Sequence, residues 1–231
     1  MRSQFLTFLL IILCSGKISA AKEVLPYKND VSIDGINKEW PAHLPKYSSM
    51  TDINYAVAND AKNLYLILRI ADEVKQKQIA QNGLEIWINK DGKKKKLTGI
   101  TFPLPIRKGP VTGKETAELI LTGFLIDNGK QPVKDCPVKV ALTKDQNVMT
   151  YELSVPFNTF YKEQLDQDDI DVDFCIGFFI KGTPLSDNDL IGRAMGGDPG
   201  MRGQGMGGPG MVFNAENMDR YTWFSTKLAV K

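Results

Sequence analysis

The chain is poor in histidine and cysteine, and past its first residues it has no long apolar run. One His among 231 residues excludes a multi-His zinc site, and any Ser-His-Asp or Cys-His device has to use that residue. It is His43, in the run Trp40-Pro41-Ala42-His43-Leu44-Pro45, which reads as a surface loop. No stretch after the first 20 residues is apolar for long enough to make a transmembrane segment. An excess of one charge is missing too. Without residues 1–20 the chain loses Arg2 and Lys17, and its 27 acidic residues are matched by as many basic ones. That balance argues against nucleic acid as a partner. The one basic run, Lys93 to Lys96, follows Asp91-Gly92 and reads as a solvated hairpin tip. A hydrophobic fraction of 42% with 24% charged residues suffices for a core and excludes a disordered chain, a coiled coil and collagen.

Residues 1–20 read as a signal peptide: Arg2, then the short apolar run Phe5 to Cys14, then the small residues Ser19-Ala20 for cleavage. The expected location is exported, periplasmic or secreted. Cys14 raises an alternative, a lipoprotein anchored there, although Leu13 is larger than the residue usually found before a lipidated Cys. Cys136 and Cys175 then remain; export permits a disulfide between them, and two unpaired thiols are the other reading.

Period-two alternation recurs along the rest of the chain. Ile53, Tyr55 and Val57 lead through Asn59-Asp60-Ala61-Lys62-Asn63 to Leu64, Leu66, Leu68 and Ile70, a hairpin. Asp72 to Asn82 suits a short helix ended by Gly83. Leu84, Ile86 and Ile88 form a strand, Asn89 to Gly92 a turn, and Leu97 to Phe102 the return. Ala117 to Ile126 fits strand or helix. Val138 to Leu142 and Met149 to Val155 flank the turn Asp145-Gln146-Asn147, and Phe157 to Leu165 fits a helical turn. Val172 to Ile180 and Tyr221 to Val230 alternate again. Short strands with one or two short helices predict an all-β antiparallel β-sandwich over residues 22–231. A Gly/Met-rich flexible loop interrupts it at 192–211, where nine of the 20 Gly and four of the eight Met fall.

Several of these residues together resemble a family. Ile33-Asp34-Gly35 with Trp40, then Asn59-Asp60 with Asn63-Leu64-Tyr65-Leu66, then Gly83-Leu84-Glu85-Ile86-Trp87-Ile88-Asn89 with Asp91-Gly92, are similar to the carbohydrate-binding module family 9-like domains of the DOMON-like sandwich group. The likeness is best over residues 31–103. It implies an exported, non-catalytic sandwich, in a group whose members bind sugars, bind haem or have no known ligand. It carries over no binding residue, since the sandwiching aromatics do not align to single positions.

A sugar site needs flat aromatic faces and planar polar groups. Trp87 beside Glu85, Trp223 beside Tyr221 and Lys227, and Tyr65 with Arg69 all lie out of phase with the apolar faces of their strands. Trp87, Trp223, Tyr65 and Arg69 are therefore the candidate ligand-binding residues, against a reading in which the rings pack under loops. Trp40 reads as structural. Catalytic residues are expected to be absent: no pair of carboxylates stands out among the acids. The run Asp166, Asp168, Asp169, Asp171, Asp173 lacks the Gly and terminal Glu of a calcium loop and reads as a solvated face. Gly203 to Gly208 matches a dinucleotide fingerprint, which works only between a strand and a helix N-terminus, but it sits in low-complexity sequence with Pro209 next. The loop Met residues offer thioethers to Cu(I) or an adaptable contact surface. One His and scattered Met make a poor haem ligand set. No cofactor is expected, and whether a metal is bound stays open. The sequence names no protein partner.

The expected function is binding of a polysaccharide or oligosaccharide; the alternative is an envelope structural or interaction protein on the same scaffold without a sugar site. Trypsin under native conditions is expected to cut first at Arg193 or Arg202, because glycine-rich chain is the costliest to order; protection of both arginines counts against the loop.

Overall fold

The computed structural model describes residues 23–104, 117–180 and 222–231. The signal-peptide reading at 1–20, Cys14 and the Gly/Met-rich segment 192–211 lie outside them.

Two antiparallel sheets face each other. The first has the order β1 (Lys46–Ser48), β2 (Ile53–Asn59), β3 (Asn63–Ile70), β9 (Val148–Pro156), β8 (Lys139–Asp145). The second has the order β11 (Thr222–Lys227), β10 (Asp173–Ile180), β4 (Leu84–Asn89), β5 (Thr98–Thr101), β6 (Glu118–Thr122), β7 (Gly129–Pro132). The expected all-β sandwich is therefore the observed fold. The ambiguous segment after Ala117 is a strand, β6, because its register sets Leu119 and Leu121 inward while Ile120 faces out. The sequence reading missed β1 and β7, both short edge strands with little alternation.

Inward residues of both sheets form one core, with Leu66, Leu68, Tyr151 and Leu153 meeting Ile86, Ile88, Phe174 and Phe178. Each such side chain, taken wholly out of water, contributes roughly 1.5–3 kcal/mol. Tyr55 packs edge-on to Phe178 at 5.2 Å. Helix α1 (Glu73–Asn82) begins where the Asp72 carboxylate accepts the Lys75 N–H at 2.8 Å, and ends at Gly83, whose φ of 88° suits glycine. Buried Gln76 ties the helix to both neighbours, donating to Ile70 O at 2.9 Å and Asn147 O at 2.6 Å.

Two motifs of the family-like signature are fastenings. Asn59 is buried at the end of β2; its side chain donates to Ala229 O at 2.8 Å and accepts from Ala229 N at 2.9 Å. It pairs with the C-terminal segment as a backbone amide would. Asp60 closes the β2–β3 turn by accepting from Lys62 N, Asn63 N and the Tyr65 hydroxyl. The segment before β1 lies across the outer face of the first sheet. There Trp40 and Leu44, with Val31 and Ile33, pack on Ala56, Ala58, Tyr65 and Ile67.

The acidic run is only partly a solvated face. Asp169 is buried and accepts from Tyr161 Oη at 2.6 Å, Lys162 Nζ at 2.8 Å and Asp166 N at 2.8 Å. Burial alone would raise its pKa, but Lys162, Tyr161 and the Asp166 N–H outweigh burial and hold it below the ordinary 3.8. Burial, with the hydrogen bond to Asp169 second, pushes the Tyr161 phenol up to about 12, while the nearby Lys162 acts in the opposite direction. A depressed carboxylate stabilises the fold above its unfolded pKa, and that contribution is lost as pH falls through the folded value. Asp169→Asn is therefore expected to lower the melting temperature at neutral pH and to flatten its decline below about pH 4, as thermal melts across pH 2–7 would show.

Candidate functional site

The outer face of the second sheet carries the most unusual arrangement among the described residues. One cross-strand row runs Trp223 on β11, Gly177 on β10, Trp87 on β4, Gly99 on β5 and Thr122 on β6. Alternation along each strand points these positions away from the core. Two bulky aromatics thus alternate with two residues that have no side chain.

The glycines seat the rings. A Cβ built on Gly99 would lie 2.6 Å from Trp87 Cε3, 2.7 Å from Cη2, and nearer still to Cζ3 between them. A Cβ on Gly177 would lie 2.5, 2.6 and 2.9 Å from Cε3, Cδ2 and Cζ3 of Trp223. Near-equal distances to three successive ring atoms mean that the face of the ring, not its edge, covers the glycine. Each indole therefore lies flat on bare backbone, with its other face turned away from the sheet. Trp87 and Trp223 sit two strands apart, about 9.5 Å at the usual strand spacing, and both are partly exposed. The spacing and tilt set them side by side as two platforms.

Polar groups sit next to Trp87. Glu85, two residues back on the same face, accepts the Trp87 indole N–H at 3.0 Å and pairs with Lys96 Nζ at 3.4 Å. Lys96 Nζ also stands 5.2 Å from the centre of the Trp87 ring. The run Lys93 to Lys96 is thus not wholly a solvated tip: Lys96 reaches back to the sheet. In the row beside the indoles, Phe179, Glu85 and Thr101 are neighbours across three strands. The arrangement sets flat aromatic surface beside an ion pair whose carboxylate, Glu85, is buried and whose ammonium, Lys96, is exposed.

The four candidate residues do not form one site. Trp87 and Trp223 share the row just described, whereas Tyr65 and Arg69 lie on the outer face of the other sheet. Tyr65 is buried beneath the N-terminal segment, and its hydroxyl donates to Asp60 Oδ2 at 2.6 Å. Burial, with that bond second, raises its pKa well above the usual phenol range. Its parity pointed it outward, but the covering segment is distant in sequence and turns that face inward. Arg69 is partly exposed and donates from Nη1 to Ala42 O at 3.0 Å.

Trp40 is structural, as expected: its Nε1 donates to Glu152 Oε1 at 3.0 Å. His43 is exposed in its loop. Cys136 and Cys175 are both buried and are not joined, so the disulfide left open by the sequence is not formed. Among the described residues no group of three or more His, Cys, Asp or Glu converges to hold a metal, and no helix is long and apolar enough to cross a membrane. The sequence reading missed Gly99, Gly177 and Lys96. The signal was available in part: glycine inside a strand marks a close approach of something to the backbone, and both glycines stand in alternating runs.

The fold and this face define an antiparallel β-sandwich with a two-indole outer platform. No family model and no curated protein matches the chain. Among solved structures, it is similar to a carbohydrate-binding module family 9 from Caldicellulosiruptor kristjanssonii in complex with glucose, with a TM-score of 0.36 and 13% identity over 68% of this chain and 76% of that chain. At that level of likeness neither ligand nor site passes from one protein to the other.

The seating of Trp87 is open to a direct test. Gly99→Ala puts a methyl where the indole lies, so the ring must lift. The expected result is a red-shifted tryptophan emission and a loss of roughly 1–3 kcal/mol, as overpacking generally costs. An unchanged emission spectrum would remove the ring from Gly99.

Proposed function

We propose that this chain is an exported, non-catalytic glycan-binding protein whose contact surface is the outer face of the second sheet. The observation that supports this reading is the pair of indoles laid face-down on Gly177 and Gly99 in one row. A pyranose ring presents patches of C–H bonds that stack on such a face, and its hydroxyls need fixed polar partners. Glu85 and Lys96 supply a carboxylate and an ammonium beside Trp87. Seating both rings on backbone also restricts their rotamers before any ligand arrives, which lowers the ordering cost of binding. Two platforms side by side suit a ligand of more than one sugar unit, a polysaccharide or oligosaccharide. Export rests on the leader-like residues 1–20.

A glycan array on the mature chain would identify the ligand, and single variants then test the site. Trp87→Ala is expected to weaken binding about thirtyfold, since losing a stacking aromatic costs about 2 kcal/mol. Its melting transition should stay cooperative, because the ring lies outside the core. Unchanged affinity in the folded variant would remove Trp87 from the site. A collapse of stability by about 3–5 kcal/mol would make the ring a packing element instead.

A further inference from the structure

A second feature lies on the opposite side of the sandwich and does not depend on the indole platform. On the outer face of the first sheet, Asn54 of β2 and Arg69 of β3 are cross-strand partners at the end of the area covered by the N-terminal segment. A depression of about 310 Å³ opens over them, walled by His43 and Leu44 on one side and by Ala71 and Val148 on the other. That volume is at the small end of the range for ligand sites, about 300–1,000 Å³.

Arg69 is the exceptional residue in it. Its guanidinium makes one hydrogen bond, from Nη1 to Ala42 O at 3.0 Å. Its Nε is buried and donates to nothing, and Arg69 joins no ion pair. Most buried donors in folded proteins are partnered, and one left unpaired calls for an explanation. A guanidinium at least partly withdrawn from water gains most from an oxyanion, and its planar fork matches a carboxylate. Nη1 is held by the loop carbonyl, which fixes the plane of the guanidinium where Arg69 lines the depression. Asn54 is exposed beside it and supplies amide donors. Leu44, Ala71 and Val148 add an apolar wall that a bare inorganic ion would not use.

The geometry points to a binding site for the carboxylate of a small organic ligand, of the size of one acidic sugar, held by Arg69 with Asn54. The site is chemically unlike the platform: it selects charge, whereas the platform selects a flat apolar face.

The test is a titration of the full chain with glucuronate, glucose and inorganic sulfate, followed by NMR at the Arg69 Nε–H and at the Ala71 and Val148 methyl groups. Glucuronate is expected to move all three, with a dissociation constant on the order of 1 mM, in the range of weak small-molecule binding. Glucose and sulfate are expected to leave them in place. Arg69→Gln should lower affinity for glucuronate at least tenfold, and Arg69→Lys nearly as much, because the ammonium lacks the fork. Trp87→Ala should leave this affinity unchanged, which separates the site from the platform. Equal shifts with glucose, equal shifts with sulfate, or undiminished binding by Arg69→Gln would each overturn the assignment. Should the variants fail to fold, the titration of the unmodified chain decides alone.

Discussion

The architecture turns on one buried carboxylate. Glu152 stands in the middle of β9 on the outer face of the first sheet, where a charge would ordinarily meet water. It accepts instead from Gly35 N at 2.8 Å, Asp34 N at 3.1 Å and Trp40 Nε1 at 3.0 Å. Burial raises its pKa, while the two backbone N–H groups and the indole N–H act in the opposite direction. Buried charge is tolerated only when hydrogen-bonded, so the carboxylate and the segment 34–40 need each other. Gly35 completes the lock: its φ is +79°, a Cβ would collide with Thr143, and its carbonyl accepts the Thr143 hydroxyl at 2.5 Å. Once the segment is pinned, it covers Ala56, Ala58, Tyr65 and Ile67, and the first sheet is buried over much of both faces.

That asymmetry bears on function. In the first sheet, the outer face is given over to fastening, and Arg69 with Asn54 occupies the margin where the cover ends. In the second sheet, small residues and large rings alternate across strands, so the outer face holds aromatic surface without a polypeptide layer of its own beneath the rings. The same device, a side chain lying flat on glycine, sets both indoles. The two sheets thus present different chemistries outward from a shared core.

The termini of the described sandwich are joined by polar fastenings as well as by packing. The Asn59 amide pairs with Ala229, Thr226 donates to Glu23 O at 2.7 Å, and Lys227 N donates to Glu23 O at 3.0 Å. These bonds tie the chain ends to β2 and to the edge strand β11, where the Lys227 N–H would otherwise be left unpaired.

Most of the strands, the helix and its stop, and the outward parity of Trp87 and Trp223 were legible in the sequence, because a period of two and the helix-capping residues Asp72 and Gly83 are local properties; the short edge strands β1 and β7 carry too little alternation to show it. The side on which each candidate residue lies followed from the same alternation. What parity cannot encode is whether an outward face stays outward. Tyr65 and Trp87 have equivalent positions in their strands, yet one is roofed by residues some thirty positions earlier, while the other lies on glycine of a neighbouring strand. Asp169 had the same fate within a run of acids that looked uniform. Register across β11, β10, β4 and β5 brought Trp223, Gly177, Trp87 and Gly99 into one row. Register is a long-range property, set by how two sheets close over a common core, so only the tertiary structure decided which aromatic rings became platforms and which became part of the wall.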